Sequence, residues 1–148
     1  ASIVHRSGHN GARQASLPEA CAFIESRLQD PRLGVGEVAE WLCCSRRKLE
    51  MLFEETGIGV AGWIARRRIE ECRKMLADPA WRHLSITEVA FTWGFRDLST
   101  FNRRFRAQCG AAPREVRREE PVDRRRGEPA TLPWTVGPFR PRVPPVGE

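Results

Sequence analysis

The chain has 148 residues, of which 41% are hydrophobic, and its formal net charge at pH 7 is +6. This length predicts one domain with tails or two very small units, and the basic excess indicates an anionic partner, either nucleic acid or an anionic membrane surface. No apolar run approaches the ~20 residues needed to cross a bilayer, and residues 1–14 lack the apolar stretch of a signal peptide, so we expect no membrane partner.

Residues 1–15 are polar, contain glycine and show no periodicity, which predicts a disordered lead-in or linker. The first helix is predicted to begin at Ser16, because Ser16-Leu17-Pro18-Glu19 has the pattern of a capping box with proline in the first turn. It is predicted to stop at Asp30-Pro31, because the residue before proline is pushed out of the α region. Its apolar face comprises Ala20, Phe23, Ile24 and Leu28.

A five-residue pattern occurs twice in the chain. Val35-Gly36-Glu37-Val38-Ala39 reappears as Ile86-Thr87-Glu88-Val89-Ala90, and each copy is followed by a tight turn and a second periodic segment. The repeat predicts two helix-turn-helix units, at about residues 34–57 and 85–110, and such a pair in a small basic chain is typical of a protein that reads two stretches of one DNA duplex.

In the first unit the predicted turn lies at Cys43-Cys44, and Ser45 is a good N-cap for the second helix. Leu49 and Phe53 lie one helical turn apart and are predicted to face inward, and Gly57 is placed to end the helix.

A long linker helix is predicted at about residues 60–78, ending at Asp78-Pro79. A helix of ~18 residues spans roughly 27 Å. Two groove-reading helices on one face of a duplex must lie about 34 Å apart, so a spacer of this length with its flanking elements is suitable. The predicted buried stripe is Ala61, Ile64 or Ala65, Ile69, Cys72 and Leu76.

The second unit is predicted to begin with a capping box at Ser85, to turn at Gly94 and to end at Gly110, with Phe101 and Phe105 facing inward. A short last helix follows from Pro113 to about residue 118. Residues 119–148 are rich in proline and arginine and are predicted to be disordered.

The predicted fold class is therefore all-α: two helix-turn-helix units joined by a long linker helix within residues 16–118, with a disordered lead-in and a Pro/Arg-rich tail. Four tryptophans at periodic or helix-end positions are predicted to lie in the core: Trp41, Trp63, Trp81 and Trp93.

In a helix-turn-helix unit the second helix enters the major groove, and its outward side chains near the N-terminus reach base edges. Arginine can bind guanine with two hydrogen bonds, asparagine can bind adenine, glutamate can accept from cytosine, and an apolar side chain can contact the thymine methyl. The predicted base-contacting residues are Arg46, Arg47, Glu50 and Met51 in the first unit and Leu98, Ser99, Asn102 and Arg103 in the second.

Phosphate contacts add affinity and register without reading sequence. We expect them from residues that flank the two outward faces and from the Arg66-Arg67-Arg68 run of the linker, where the alternative is a solvated face partly compensated by Glu70 and Glu71. The predicted phosphate-contacting residues are Ser45, Arg67, Arg96, Thr100 and Arg106.

The five cysteines include no Cys-x-x-Cys pair, and no histidine lies at ligand spacing from a cysteine pair, so we expect no metal site, no cofactor and no catalytic site. An odd count without a secretion signal favours a reducing cytosol. Buried small hydrophobes are the favoured interpretation, and a thiol switch at Cys43-Cys44 is the alternative.

The pattern resembles the DNA-binding domain of the AraC/XylS family of bacterial transcription regulators over about residues 16–118. The resemblance is carried in the first unit and linker by Val38-Ala39, Ser45-Arg46-Arg47, Leu49, Phe53, Gly57, Trp63-Ile64, Arg67 or Arg68, Ile69 and Leu76. In the second unit it is carried by Ser85-Ile86-Thr87-Glu88-Val89-Ala90, Trp93-Gly94-Phe95, Phe101, Arg103, Phe105, Gly110, Pro113 and Arg117.

The resemblance implies sequence-specific promoter binding, activation through contact with RNA polymerase, and a separate effector-binding or dimerisation domain on the N-terminal side. Only about fifteen residues precede the first helix here, so the chain is expected to be either a short regulator or one domain of a longer one. Cys43 stands where the family commonly has glycine, which predicts a strained or differently shaped first turn.

Two other classes of function remain open at this point. A non-specific or architectural nucleic-acid-binding protein would bind all sequences equally, with a steep dependence on salt. A DNA-repair enzyme with a reactive cysteine would need an activating base or a metal, and neither is found near Cys43.

Overall fold

Seven α-helices, joined by turns and by two short 3₁₀ segments, account for the part of the chain that the computed structural model describes, residues 14–118. The predicted lead-in and tail therefore lie outside the described residues, except for Gln14 and Ala15. The helices are α1 (Leu17–Arg27), α2 (Val35–Trp41), α3 (Arg46–Phe53), α4 (Val60–Ala77), α5 (Ile86–Thr92), α6 (Leu98–Cys109) and α7 (Pro113–Arg118).

The first helix begins as predicted but ends earlier. The Ser16 hydroxyl accepts a hydrogen bond from the Glu19 amide at 3.4 Å, which caps the first turn. The helix ends at Arg27 rather than at Asp30-Pro31, and the Asp30 amide closes a turn onto the Arg27 carbonyl at 2.9 Å. The expected stop was late because the carbonyls that follow the helix are bound by a side chain of α4, which no local pattern reveals.

The first helix-turn-helix unit, α2 and α3, confirms the predicted turn. Cys43 has φ +53°, in the left-handed region that L-residues with a side chain seldom adopt. Ser45 caps α3 by accepting from the Lys48 amide at 3.0 Å. A 3₁₀ turn, Glu54–Thr56, extends α3 before Gly57 ends the segment with φ +73°.

The long helix α4 has 18 residues and packs against α3, α5, α6 and α7. Its buried stripe includes Ile64, Ile69, Cys72 and Leu76, as predicted. Ala61 is exposed, and the neighbouring Val60 is completely buried in its place. The prediction began the stripe one residue too late because alanine is compatible with either face.

The second unit consists of α5 and α6. Ser85 and Glu88 form a complete capping box, in which each side chain accepts from the other residue's backbone N–H. Gly94 turns the chain with φ +85°, and the Asp97 carboxylate caps α6 by accepting from the Thr100 amide at 2.7 Å. Gly110 then ends α6 with φ +70°.

One apolar core runs through both units. Among the predicted tryptophans, Trp63 and Trp93 are buried and Trp81 is half-buried, whereas Trp41 is 47% exposed and stacks on Phe23 at 4.6 Å. The Trp41 prediction was wrong because periodicity in a seven-residue helix does not define which side the core covers. Across residues 14–118, every helix is too short or too polar to span a bilayer.

The cysteines divide between core and surface. Cys21 and Cys72 are buried, and burial raises the pKa of both thiols, that of Cys21 to about 12. Cys43 is exposed, and Cys44 and Cys109 are partly exposed. The interpretation as buried small hydrophobes is therefore correct for two of the five and wrong for Cys43.

Candidate nucleic-acid interface

The outward face of α3 carries the four side chains that the sequence singled out. Arg46, Arg47, Glu50 and Met51 are all exposed, and Met51 is 52% exposed although it is apolar. Leu49 and Phe53 on the opposite side are completely buried, so packing holds α3 in one rotation about its axis. These four side chains form the α3 face.

The corresponding side chains of α6 are Leu98, Ser99, Asn102 and Arg103, which form the α6 face. Ser99 and Arg103 are exposed, and Leu98 and Asn102 are half-buried at the edge of the helix that lies nearer the core. Phe101 and Phe105 are completely buried on the inward side, and their rings lie 5.5 Å apart.

The two faces occupy equivalent helix positions. Arg46 is the first residue of α3 and Leu98 is the first residue of α6, so the α3 face and the α6 face both use the first, second, fifth and sixth residues of their helices. Ser45 and Asp97 are the corresponding N-caps. The second turn has one more residue than the first, and the equivalence is preserved because each helix begins directly after its own cap.

Glu50 has a structural partner that sequence reasoning missed. One of its carboxylate oxygens accepts from the Val60 amide at 3.4 Å, at the start of α4. The N-cap of α4 is Gly59, which has no side chain to cap the helix, and a carboxylate is favourable at this end of the helix dipole. Glu50 therefore joins α3 to the linker, while its second oxygen is not used in this bond.

The predicted phosphate contacts are placed differently from one another. Arg106 is exposed, and Thr100 is half-buried in the first turn of α6. Ser45 is exposed, but its oxygen accepts from the Lys48 amide. Arg96 is exposed, and its Nε donates to the Pro31 carbonyl at 3.2 Å. Each of these four reaches the surface on or beside α3 and α6.

The predicted phosphate contact of Arg67 does not agree with the structure, because the Arg67 side chain is buried. Only 10% of its side chain is exposed, and it forms ion pairs with Glu25 on α1 and with Glu70 and Glu71 on α4. Burial opposes the charged form, but the bond to Glu25 and the three negative charges outweigh it, so that the pKa of Arg67 lies above its ordinary value. Through these three carboxylate partners, Arg67 links α4 to α1.

The three consecutive arginines of α4 point in different directions, as a helical advance of 100° per residue requires. Arg68 is buried like Arg67, whereas 55% of the Arg66 side chain is exposed. Arg66 and Arg104 line a groove between α4 and α6, together with Gly62, Ala65, Ala107 and Gln108. The sequence could have separated the three arginines only if the orientation of α4 had been known.

Within residues 14–118, no group of three or more His, Cys, Asp or Glu side chains is placed to hold a metal ion. The chemistry of the two faces is that of hydrogen-bond donors, positive charge and small apolar contacts. Groups of these kinds contact the base edges and the phosphates of double-stranded DNA.

Two units of short helix, tight turn and second helix, each presenting an exposed polar face, define a helix-turn-helix protein. A family model described as a helix-turn-helix domain matches residues 38–119. The chain belongs to the AraC/XylS family of helix-turn-helix transcription regulators.

Several regulators of this family are similar in sequence. The arabinose operon regulatory protein of Escherichia coli (strain K12) is 33% identical over 100 residues, which are 67% of this chain and 33% of that protein. The XylDLEGF operon transcriptional activator of Pseudomonas putida is 32% identical over 105 residues, 70% of this chain and 32% of that protein. The chain thus spans about a third of the length of these curated relatives.

Solved structures share the fold. A crystal structure of a transcriptional regulator from Chromobacterium violaceum, described as AraC-type DNA-binding domain-containing, has a TM-score of 0.61 at 27% identity and covers 68% of this chain and 88% of that one. The C-terminal domain of AraT, a response regulator from Geobacillus stearothermophilus, has a TM-score of 0.63 at 23% identity, with coverage of 76% and 92%.

Proposed function

We propose that the protein is a sequence-specific double-stranded DNA-binding transcription regulator, an activator, whose α3 and α6 enter two successive major grooves of one duplex. The observation that carries this proposal is the pair of equivalent exposed faces, presented at the same positions of two helices and separated by an 18-residue helix. The names of the similar proteins, among them the XylDLEGF operon transcriptional activator, support it.

Base reading is assigned to the α3 face and the α6 face. Arg46, Arg47 and Arg103 carry the donors that suit guanine, and Asn102 carries the donor and acceptor that suit adenine. Glu50 is the weakest member of the set, because its carboxylate also accepts from the first amide of α4. The two faces differ in composition, which favours a non-palindromic site for one molecule.

Phosphate binding is assigned to Ser45, Arg96, Thr100 and Arg106, with Arg66 in place of Arg67. Arg66 is the exposed arginine of the linker run, and it shares a groove with Arg104. Arg104 lies one helical turn beyond Thr100 on the same side of α6. The groove therefore lies beside the residues of α6 that are proposed to contact the phosphate backbone of the DNA.

The remaining partners follow from the family. We propose that the bound protein contacts RNA polymerase, that it acts at the bacterial nucleoid in the cytoplasm, and that an effector-binding or dimerisation domain belongs to the same regulator. The similar proteins are about three times as long as the region they share with this chain, which is room for such a domain.

The first test is selection from a random double-stranded DNA library at near-physiological salt. We expect two short enriched blocks whose centres lie about one helical turn, ~34 Å, apart. Enrichment of no sequence, with binding that disappears as salt rises, would contradict the proposal and favour a non-specific basic binder.

Arg103→Ala tests the assignment of base reading within that site. The substitution is expected to cost about 1–3 kcal/mol of binding free energy and to relax preference at one base pair, because a bidentate contact to one base is lost. Titration of selected and scrambled duplexes measures it, with the exposed Arg114→Ala on α7 as the matched control. An equal loss on both duplexes would show that Arg103 contacts phosphate only.

A further inference from the structure

The second helix-turn-helix unit contacts the connection between α1 and α2, which leads into the first unit, in addition to packing on α4. The contact lies between the α1–α2 connection, residues 28–31, and the α5–α6 turn, residues 94–96, with the Arg68 side chain of α4 beside them. These segments form the junction. Arg96 of the second unit donates from Nε to the Pro31 carbonyl of the connection that leads into the first unit, at 3.2 Å.

Arg68 holds this junction through backbone carbonyls. Its Nε donates to the Leu28 carbonyl at 2.9 Å, and its Nη2 donates to the Asp30 carbonyl at 2.6 Å. Both acceptors lie just beyond the end of α1, where carbonyls have no partner within the helix. The guanidinium is buried, so it depends on these two acceptors in place of water.

The backbone of the second unit at Gly94 lies close to the Leu28 carbonyl and to the Arg68 guanidinium. A Cβ at Gly94 would lie 2.8 Å from the Leu28 carbonyl oxygen and 2.9 Å from Cζ of Arg68. Moving the α5–α6 turn relative to the end of α1 would therefore either drive the turn into the guanidinium or withdraw the carbonyls from a buried charge. Both changes are unfavourable, and α1 packs on α2, so the contact resists a change in the angle between the second unit and the first.

We propose that Arg68 is a positioning residue that holds the α3 face and the α6 face at one distance and one rotation, so that the protein accepts target sites of a single half-site spacing. This inference rests on the proposed function and adds a determinant of specificity that touches no base. Arg68 acts through the junction, because it is buried and its Nε and Nη2 donate to the carbonyls of residues 28 and 30.

The consequence for DNA follows from the geometry of the double helix. One base pair inserted between the two blocks moves the second block by about 3.4 Å and rotates it by about 35°. A rigid pair of helices can then follow only one block, whereas a pair joined by a flexible hinge can follow both.

The experiment uses the site recovered by selection and two further duplexes, in which one base pair is inserted or removed between the blocks. Affinity is measured for the unaltered protein, for Arg68→Lys, and for Arg73→Lys, an exposed control on the same helix. Lysine keeps the charge but lacks the two separated donors that bind two carbonyls at once.

We expect the unaltered protein and Arg73→Lys to lose at least about tenfold in affinity when the spacing changes, the loss of a base-reading contact or more. Arg68→Lys is expected to lose no more than about threefold. For each protein, the affinity for the selected site is divided by the affinity for a duplex of altered spacing, both measured on one preparation, so that any inactive fraction cancels. If Arg68 only stabilised the fold, Arg68→Lys would leave this ratio unchanged.

Two outcomes would overturn the inference while leaving the proposed function intact: equal binding of all three spacings by the unaltered protein, or an unchanged ratio in Arg68→Lys. The first needs no variant, so the inference stays open to refutation if Arg68→Lys does not fold. Selection of no sequence by the unaltered protein would overturn the proposed function and this inference together.

Discussion

At the scale of single residues, the two turns place different side chains in the same kind of backbone. Gly94 has φ +85° and Cys43 has φ +53°, so the first unit holds a side chain where the second has none. The left-handed region costs an L-residue about 1–2 kcal/mol, and glycine avoids this strain while losing about 0.5–1 kcal/mol of unfolded-state entropy.

Cys43→Gly is therefore expected to raise the free energy of unfolding by about 0.5–1 kcal/mol, the difference between these two terms. Urea unfolding measures it. Cys44→Gly is the matched control, because Cys44 has no positive φ and packs against the core, so that glycine there is expected to destabilise. A less stable Cys43→Gly would show that the thiol stabilises the turn more than its backbone strain costs.

Asp97 gives the second unit a titratable cap. The Thr100 amide, which donates to its carboxylate, lowers the pKa of Asp97 below its ordinary value. Because the folded-state pKa is the lower one, the stabilisation is fully present above the unfolded pKa of about 4 and is lost as the pH falls through the folded value.

Asp97→Asn removes this titration while keeping a good N-cap. The stability of the unaltered protein relative to the variant is expected to be constant between pH 7 and about pH 5 and to fall below about pH 4. Unfolding curves at a series of pH values measure the difference, in which the titration of Glu88 and other groups cancels. A stability difference that stays constant down to pH 3 would show that the negative charge of the Asp97 carboxylate does not stabilise the helix cap.

At the scale of elements, the close approach of the α5–α6 turn to the end of α1 decides what Gly94 tolerates. A Cβ there meets a carbonyl oxygen and the Arg68 guanidinium within 3 Å, whereas a Cβ at Gly110 meets nothing within 4 Å. Both glycines have similar positive φ angles, +85° and +70°.

Gly94→Ala is therefore expected to destabilise the protein by about 2–4 kcal/mol, since backbone strain and overpacking add. Gly110→Ala, the matched control, is expected to cost only about 0.5–1 kcal/mol, which is the backbone strain less the unfolded-state entropy that glycine would lose. Thermal unfolding of the two variants checks the difference. Equal losses would mean that the junction yields to an added methyl group without cost.

The elements were largely predictable because their signals are local. The capping box at Ser85, the caps at Ser16 and Ser45 and the glycines that end helices act through neighbouring backbone groups, so the sequence shows them directly. The end of α1 was placed too late because its carbonyls are bound by Arg68, 40 residues further along the chain. Local patterns carry no information about such a partner.

At the scale of the whole molecule, α4 is the element on which both units pack, and the described residues alone form a continuous apolar core from Leu17 to Val116. The residues beyond 118 carry mainly proline, arginine and acidic side chains. The fold is therefore expected not to depend on them.

A chain that ends at Arg118 is expected to melt cooperatively, at a temperature within a few degrees of that of the full chain, because it retains the whole core described here. Calorimetry of the two chains measures this. Loss of the cooperative transition in the shorter chain would show that residues 119–148 complete the core.

The sequence by itself determined the all-α class, the two units, the length of the linker and the side chains available on the α3 face and the α6 face. Helix caps and 3.6-residue periodicity depend on neighbours within a few positions, so a single chain displays them. The family resemblance rested on the same residues and is confirmed.

Only the tertiary structure decided which of three consecutive arginines reaches the surface. Arg67 pairs with Glu25 of α1, Arg68 holds the junction, and Arg66 remains exposed. It likewise showed that Glu50 caps α4. The partners of Arg67 on α1, of Arg68 and of Glu50 are 10 to 42 positions away, and the free energy of a charged side chain depends on whether a distant group replaces the water it loses on burial.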